Sequence, residues 1–81
     1  MILNKEEIIE KLIPVFRTVF EDEKLKIDEK SNSDNVVGWD SLNHIYLVVA
    51  IEELFDMKFL AEDIQSWDNV GDMAEHILKH V

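Results

Sequence analysis

Residues 40–55 read DSLNHIYLVVAIEELF, and this stretch decides the fold. Asp40 suits the N-cap of a helix: its carboxylate can accept from the amide of Leu42 or Asn43 and favours the positive end of the helix dipole. Ser41 then falls in the first turn. The run behind it, Leu42, Ile45, Tyr46, Leu47, Val48, Val49, Ala50, Ile51, Leu54 and Phe55, is apolar on more than one face. A helix packed on one side only has no use for that. Either it is sandwiched between other helices, or part of its apolar surface stays out as a docking strip.

Upstream, residues 21–39 turn to charges, Ser, Asn and Asp, with Leu25, Ile27, Val36 and Val37 as the aliphatic anchors. That composition predicts one long loop. A loop of this length in so small a domain needs a function or a means of pinning, and Leu25 and Ile27 supply the pinning. Before it, Asn4 followed by Glu7 resembles a capping box that starts a helix. Ile8, Ile9, Leu12, Val15, Phe16, Val19 and Phe20 recur at three- and four-residue steps, one face of an amphipathic helix. Pro14 lies inside it and frees the carbonyl of Glu10, so a kink or a break is expected between Glu10 and Pro14.

Downstream, Leu60 to Gln65 predicts a short helical turn. Asn69, with Asp72 three residues on, opens a last helix carrying Val70, Met73, Ala74, Ile77, Leu78 and Val81. No strand alternation of useful length and no repeat occurs. The expectation is an all-α, four-helix bundle, one domain over residues 1–81, with a long first loop and a short third helix.

Composition narrows the function. Eight basic against eighteen acidic residues give a net charge of -10, which repels nucleic acid phosphates and anionic lipid headgroups. A partner surface should therefore be basic. Hydrophobic residues make up 47% and charged residues 32% of the 81, a globular rather than a disordered balance. The absence of cysteine excludes disulfides, thiolate metal sites and a protein-borne thiol nucleophile, so any thiol chemistry is borrowed. Residues 1–7 lack the basic end and apolar run of a secretory signal, and no stretch is apolar for long enough to span a membrane. A cytoplasmic monomer without membrane insertion is expected.

Gly38-Trp39-Asp40-Ser41-Leu42, opening an apolar helix that ends Glu52-Glu53-Leu54-Phe55, resembles the acyl carrier protein family, in which an Asp-Ser-Leu triplet marks the pantetheinylated serine. Three residues alone are a weak signal. Placed at a helix start, after a long acidic loop and before a short third helix and an Asn69-Val70-Gly71-Asp72 helix start, they are much more specific. The resemblance covers nearly the whole chain. It implies that a phosphopantetheinyl transferase, using coenzyme A and magnesium, moves 4'-phosphopantetheine onto the Ser41 hydroxyl. The arm's thiol then carries acyl groups as thioesters, and the chain itself catalyses nothing. A helix N-terminus suits an anionic phosphodiester. Asp40 either only caps the helix or also helps to bind the transferase's metal, with the cap as its main duty. Leu42 either packs inward or touches the transferase, and for a first-turn leucine core packing is the default.

The same resemblance implies partner enzymes, acyl-transferring or ligating, with basic docking surfaces. Glu52 and Glu53 would meet their basic side chains and Ile45 and Val49 would supply apolar contact; a solvated acidic face is the plain alternative. Positions 43 and 46, often acidic in carriers of fatty-acid biosynthesis, are Asn43 and Tyr46 here. The Gly38 to His44 stretch looks more like specialised carriers of cell-surface or secondary-metabolite pathways than like those of general lipid metabolism. An aminoacyl (D-alanyl or peptidyl) carrier would use the same motif, and an unmodified acidic interaction module is the reading from another class.

Other constellations carry less. Ser41 and His44 share a helix face as a nucleophile and base would, but no third group orients the imidazole and no oxyanion site accompanies them. His44 then reads as a partner contact. Asp72, His76 and His80 recur every four residues like a zinc face with no fourth ligand, so no native metal site is expected. Glu21, Asp22 and Glu23 lack the glycine and spacing of a calcium loop. Trp39 and Trp67 read as core or loop anchors.

Overall fold

The computed structural model describes residues 4–80. Four helices follow one another, α1 (Lys5–Val19), α2 (Ser41–Phe55), α3 (Ala61–Ser66) and α4 (Val70–His80), and no strand occurs among the described residues. Residues 1–3 and Val81, which was expected on the last apolar face, lie outside them.

α1 starts where Asn4 caps it, its side-chain oxygen accepting from Glu7 N at 2.9 Å. Ile8, Leu12 and Phe16, four residues apart, form its fully buried stripe. Of the kink or break expected at Pro14, the break does not occur: α1 runs through it. Pro14 and Glu10 both face solvent, so the carbonyl that the proline orphans meets water. Burying the three stripe residues contributes about 1.5–3 kcal/mol each, against about 3 kcal/mol for an interior proline. Packing therefore wins over the local penalty. The helix ends with Glu21 in the left-handed region (φ 54°) and Asp22 N donating to Arg17 O at 3.0 Å.

α1 packs against both α2 and α4. Leu47 and Ile51 from α2 and Val70, Met73, Ala74 and Ile77 from α4 close the core over the α1 stripe. α3 contributes no buried residue and serves as a connector.

The long first loop is irregular but tethered. Ile27 and Val36 are buried in the core and Leu25 packs against it, as the pinning argument required, whereas Val37 points out with 94% of its surface exposed. Arg17 Nε donates to Leu25 O at 2.8 Å. The buried Ser31 accepts from Asp28 N at 2.9 Å through its hydroxyl. Two loop carbonyls cap α4: Ser31 O accepts from Val70 N at 2.9 Å and Glu29 O from Gly71 N at 2.8 Å. Asn69 completes that cap by accepting from Asp72 N at 2.8 Å.

α2 resolves the choice its composition left open. Leu47, Val48 and Ile51 are buried, while Leu42, Ile45, Tyr46, Val49 and Leu54 each keep roughly half of their surface exposed. Part of its apolar surface is an open strip.

Candidate functional site at the start of α2

The approach to α2 is fixed at each residue. Gly38 takes a left-handed conformation (φ 90°) that a side chain would resist, and its carbonyl accepts from Asp40 N at 3.0 Å and from Asn43 Nδ2 at 2.7 Å. Asp40 Oδ1 accepts from Asn43 N at 2.8 Å, the bond expected of an N-cap. Asn43 is thus more than a missing acid. Its backbone is capped by Asp40 while its side chain ties the helix back to the turn.

Trp39 anchors this turn to the core. Its indole meets Phe16 and Phe20 edge-on, with centroids 5.2 and 6.0 Å away, and its Nε1–H donates to His44 Nδ1 at 3.0 Å. The Trp39 and His44 rings stack at 21°. His44 is half-buried, and that burial lowers its pKa by disfavouring the charged imidazolium. His44, expected from sequence as a partner contact, also has a structural duty as the hydrogen-bond partner of Trp39. With Nδ1 accepting, the neutral ring carries its proton on Nε2, so neither nitrogen is free to take a proton from Ser41. The nucleophile-and-base reading fails on that ground.

Ser41 occupies the first turn, exposed, with its neighbours held on both sides. Beside it lies a groove of about 590 Å³. Asn32 and Ser33 of the first loop form one wall, Trp39 to Ser41 with His44 and Ile45 the second, and Trp67 to Asn69 with Met73 the third. Trp67 Nε1 is buried without a hydrogen-bond partner among the described residues. A buried donor left unsatisfied costs about 1–3 kcal/mol.

Leu42 is 58% exposed, so the core-packing expectation for it is corrected. It joins Ile45, Tyr46 and Val49 on the open strip below Ser41. Glu53 is exposed beyond them. Glu52 has a local duty instead, its carboxylate accepting from Phe59 N at 2.9 Å and bracing the connection to α3.

The suggested zinc face is taken apart by packing. Asp72 accepts from Asp68 N at 3.0 Å, His76 lies edge-on to Phe59 and Trp67, and His80 stacks on His76 while its Nδ1–H donates to the His76 carbonyl at 2.9 Å. No group of three or more His, Asp or Glu among the described residues is arranged to hold a metal ion. Nor is any described helix long and apolar enough to cross a membrane. The Trp39–His44 bond and the Asn43 tether were missed from sequence. A tryptophan five residues before a histidine across a helix start is a weak cue for the first.

No family model matches the chain. An acyl carrier protein of Prochlorococcus marinus (strain MIT 9515) is 32% identical over 75 residues, which span 93% of this chain and 94% of that relative. Among solved structures, the solution NMR structure of a holo acyl carrier protein from Geobacter metallireducens matches with a TM-score of 0.82 at 34% identity, covering 88% of this chain and 82% of that one.

Proposed function

This chain belongs to the acyl carrier protein family, and on that premise we propose that Ser41 is the attachment point of a 4'-phosphopantetheine arm on which the protein carries acyl groups between enzymes. The observation that carries the reading is Ser41 itself, exposed in the first turn of α2 between a capped, anchored turn and a groove of about 590 Å³. The residues fit such a group. First-turn amides favour an anionic phosphodiester, and the groove offers polar side chains, Asn32, Ser33 and Asn69 with the His44 imidazole, matching the amides and hydroxyl of a pantetheine chain. When bound, the arm supplies the thiol that this cysteine-free chain lacks.

The protein's own residues position and present. Asp40 keeps the helix start rigid through one carboxylate oxygen, and its other oxygen, which takes no hydrogen bond among the described residues, is free to meet the transferase's magnesium ion. Leu42, Ile45 and Val49 form the apolar strip that partner enzymes read, with Glu53 as the acid beside it and a basic patch as its complement. Glu52 contributes to that field while bracing Phe59. The chain works as a cytoplasmic monomer with no catalysis of its own. The polar rim formed by Asn32, Ser33 and Asn69 also suits an aminoacyl cargo, which is the second reading.

Incubation with coenzyme A, magnesium and a broad-specificity phosphopantetheinyl transferase, read by intact mass, tests the proposal. One adduct on the wild type and none on Ser41→Ala is expected. No adduct on either leaves an unmodified acidic interaction module, and an adduct on both moves the site elsewhere.

A further inference from the structure

His44 stands three residues after Ser41 on α2, and both line the same groove. Side chains three apart on a helix are neighbours, about 5–6 Å between their Cβ atoms, and helical side chains lean toward the N-terminus. A phosphorus atom bonded to the Ser41 oxygen therefore lies within reach of the imidazole. The hydrogen bond from Trp39 Nε1 to His44 Nδ1, 3.0 Å long, fixes which ring nitrogen can serve it. A neutral imidazole has one donor and one acceptor, and with the acceptor engaged the remaining polar atom is Nε2–H. The groove is otherwise poor in anion partners. No lysine or arginine lines it, and Asp40 and Asp68 add negative charge.

Resting on the assignment of the arm to Ser41, we propose that the Trp39–His44 pair is a built anion clamp, in which Trp39 holds His44 in the tautomer that donates from Nε2 to the phosphodiester on Ser41. The clamp gives the first bonds of an otherwise free arm a preferred direction along the groove. His44 is also the one groove-lining side chain able to become a cation near neutral pH. The groups facing it are Trp39, Ser41 and Ile45 from α2 and the turn before it, with the carboxylates of Asp40 and Asp68 in the same groove. A phosphodiester added to this set favours the imidazolium; loss of the Trp39 bond on full protonation opposes it.

The test compares apo and holo protein labelled with 15N, loading being established beforehand by intact mass. Long-range 1H–15N spectra read the His44 tautomer, its pKa and the exchange of its Hε2 proton with water. Apo protein should show the Nε2–H tautomer. Loading should raise the His44 pKa by about one unit, the effect of an opposite charge within about 4–6 Å, and should slow Hε2 exchange. Trp39→Phe keeps an aromatic ring beside Phe16 and Phe20 while removing the donor and part of the indole's volume; it should mix the tautomers and weaken the Hε2 protection. A pKa unchanged by loading, or raised with Hε2 exchanging as in the apo protein, overturns the clamp while the Ser41 attachment stands. Tautomers unaffected by Trp39→Phe overturn the role of Trp39. Failure to load defeats the attachment and the clamp together and is seen in the mass alone.

Discussion

Replacing Gly71 by alanine sets two physical effects of opposite sign against each other. In a helix, alanine is better than glycine by about 0.8–1 kcal/mol, so propensity alone predicts a more stable protein. Gly71, however, lies where the first loop meets α4. A Cβ there would stand 2.9 Å from Glu29 O, 3.1 Å from Asn69 Oδ1 and 3.2 Å from Glu29 Cβ. The nearest of these is backbone, which cannot rotate aside. Relieving the clash displaces the loop and lengthens the bonds from Gly71 N to Glu29 O (2.8 Å) and from Val70 N to Ser31 O (2.9 Å). Overpacking costs about 1–3 kcal/mol and each weakened hydrogen bond about 0.5–1.5 kcal/mol. The sum exceeds the propensity gain, leaving a net loss of about 1–5 kcal/mol. Urea melts of wild type and Gly71→Ala should show a lower midpoint with an unchanged slope, and hydrogen exchange should rise across residues 27–36. A midpoint that rises as propensity predicts, with no change in loop exchange, refutes the claim that this contact holds the loop.

Further outcomes follow from the same structure. Because burial depresses the His44 pKa, its contribution to stability is fully present above the unfolded value of about 6.5 and is lost as pH falls through the folded value; His44→Gln should flatten that limb of a pH–stability curve, and an unchanged curve counts against it. Net charge of -10 should make the melting temperature climb with added salt over the range where screening sets in, and a flat series contradicts self-repulsion as a destabilising force. Glu21, held at φ 54°, should gain a few tenths to about 1 kcal/mol on replacement by glycine, measured by thermal melts, since the left-handed conformation then carries no Cβ penalty.

The parts of the fold legible from sequence are those set by near neighbours. Asn4, Asp40 and Asn69 announce three helix starts because a cap bonds an amide only three residues away, and each makes that bond. The Ile8, Leu12, Phe16 stripe is legible for the same reason, being a local periodicity. What sequence did not reveal depends on residues brought together by folding. Pro14 is tolerated because of the side of α1 it occupies, which only the packing of Leu12 and Phe16 determines. Leu42 is exposed because the core over α1 is closed by Leu47 and Ile51, deeper along the same helix. Glu52 reads as a free surface acid until Phe59 N is found against it, and Gly71 as a mere helix-start glycine until Glu29 O is found 2.8 Å from its amide. At the proposed site, the helix start at Ser41 and its Asp40 cap were legible from the triplet, whereas the groove beside them joins three segments distant in sequence.

The central claim is that the arm belongs on Ser41 because of where that hydroxyl sits. Ser33 lines the same groove and offers the same functional group, without a helix start behind it. Peptide-level mass spectrometry of the loaded wild-type protein distinguishes the two. The account predicts the phosphopantetheine mass on the peptide containing Ser41 and on no other; its appearance on the peptide containing Ser33, or on none, contradicts it.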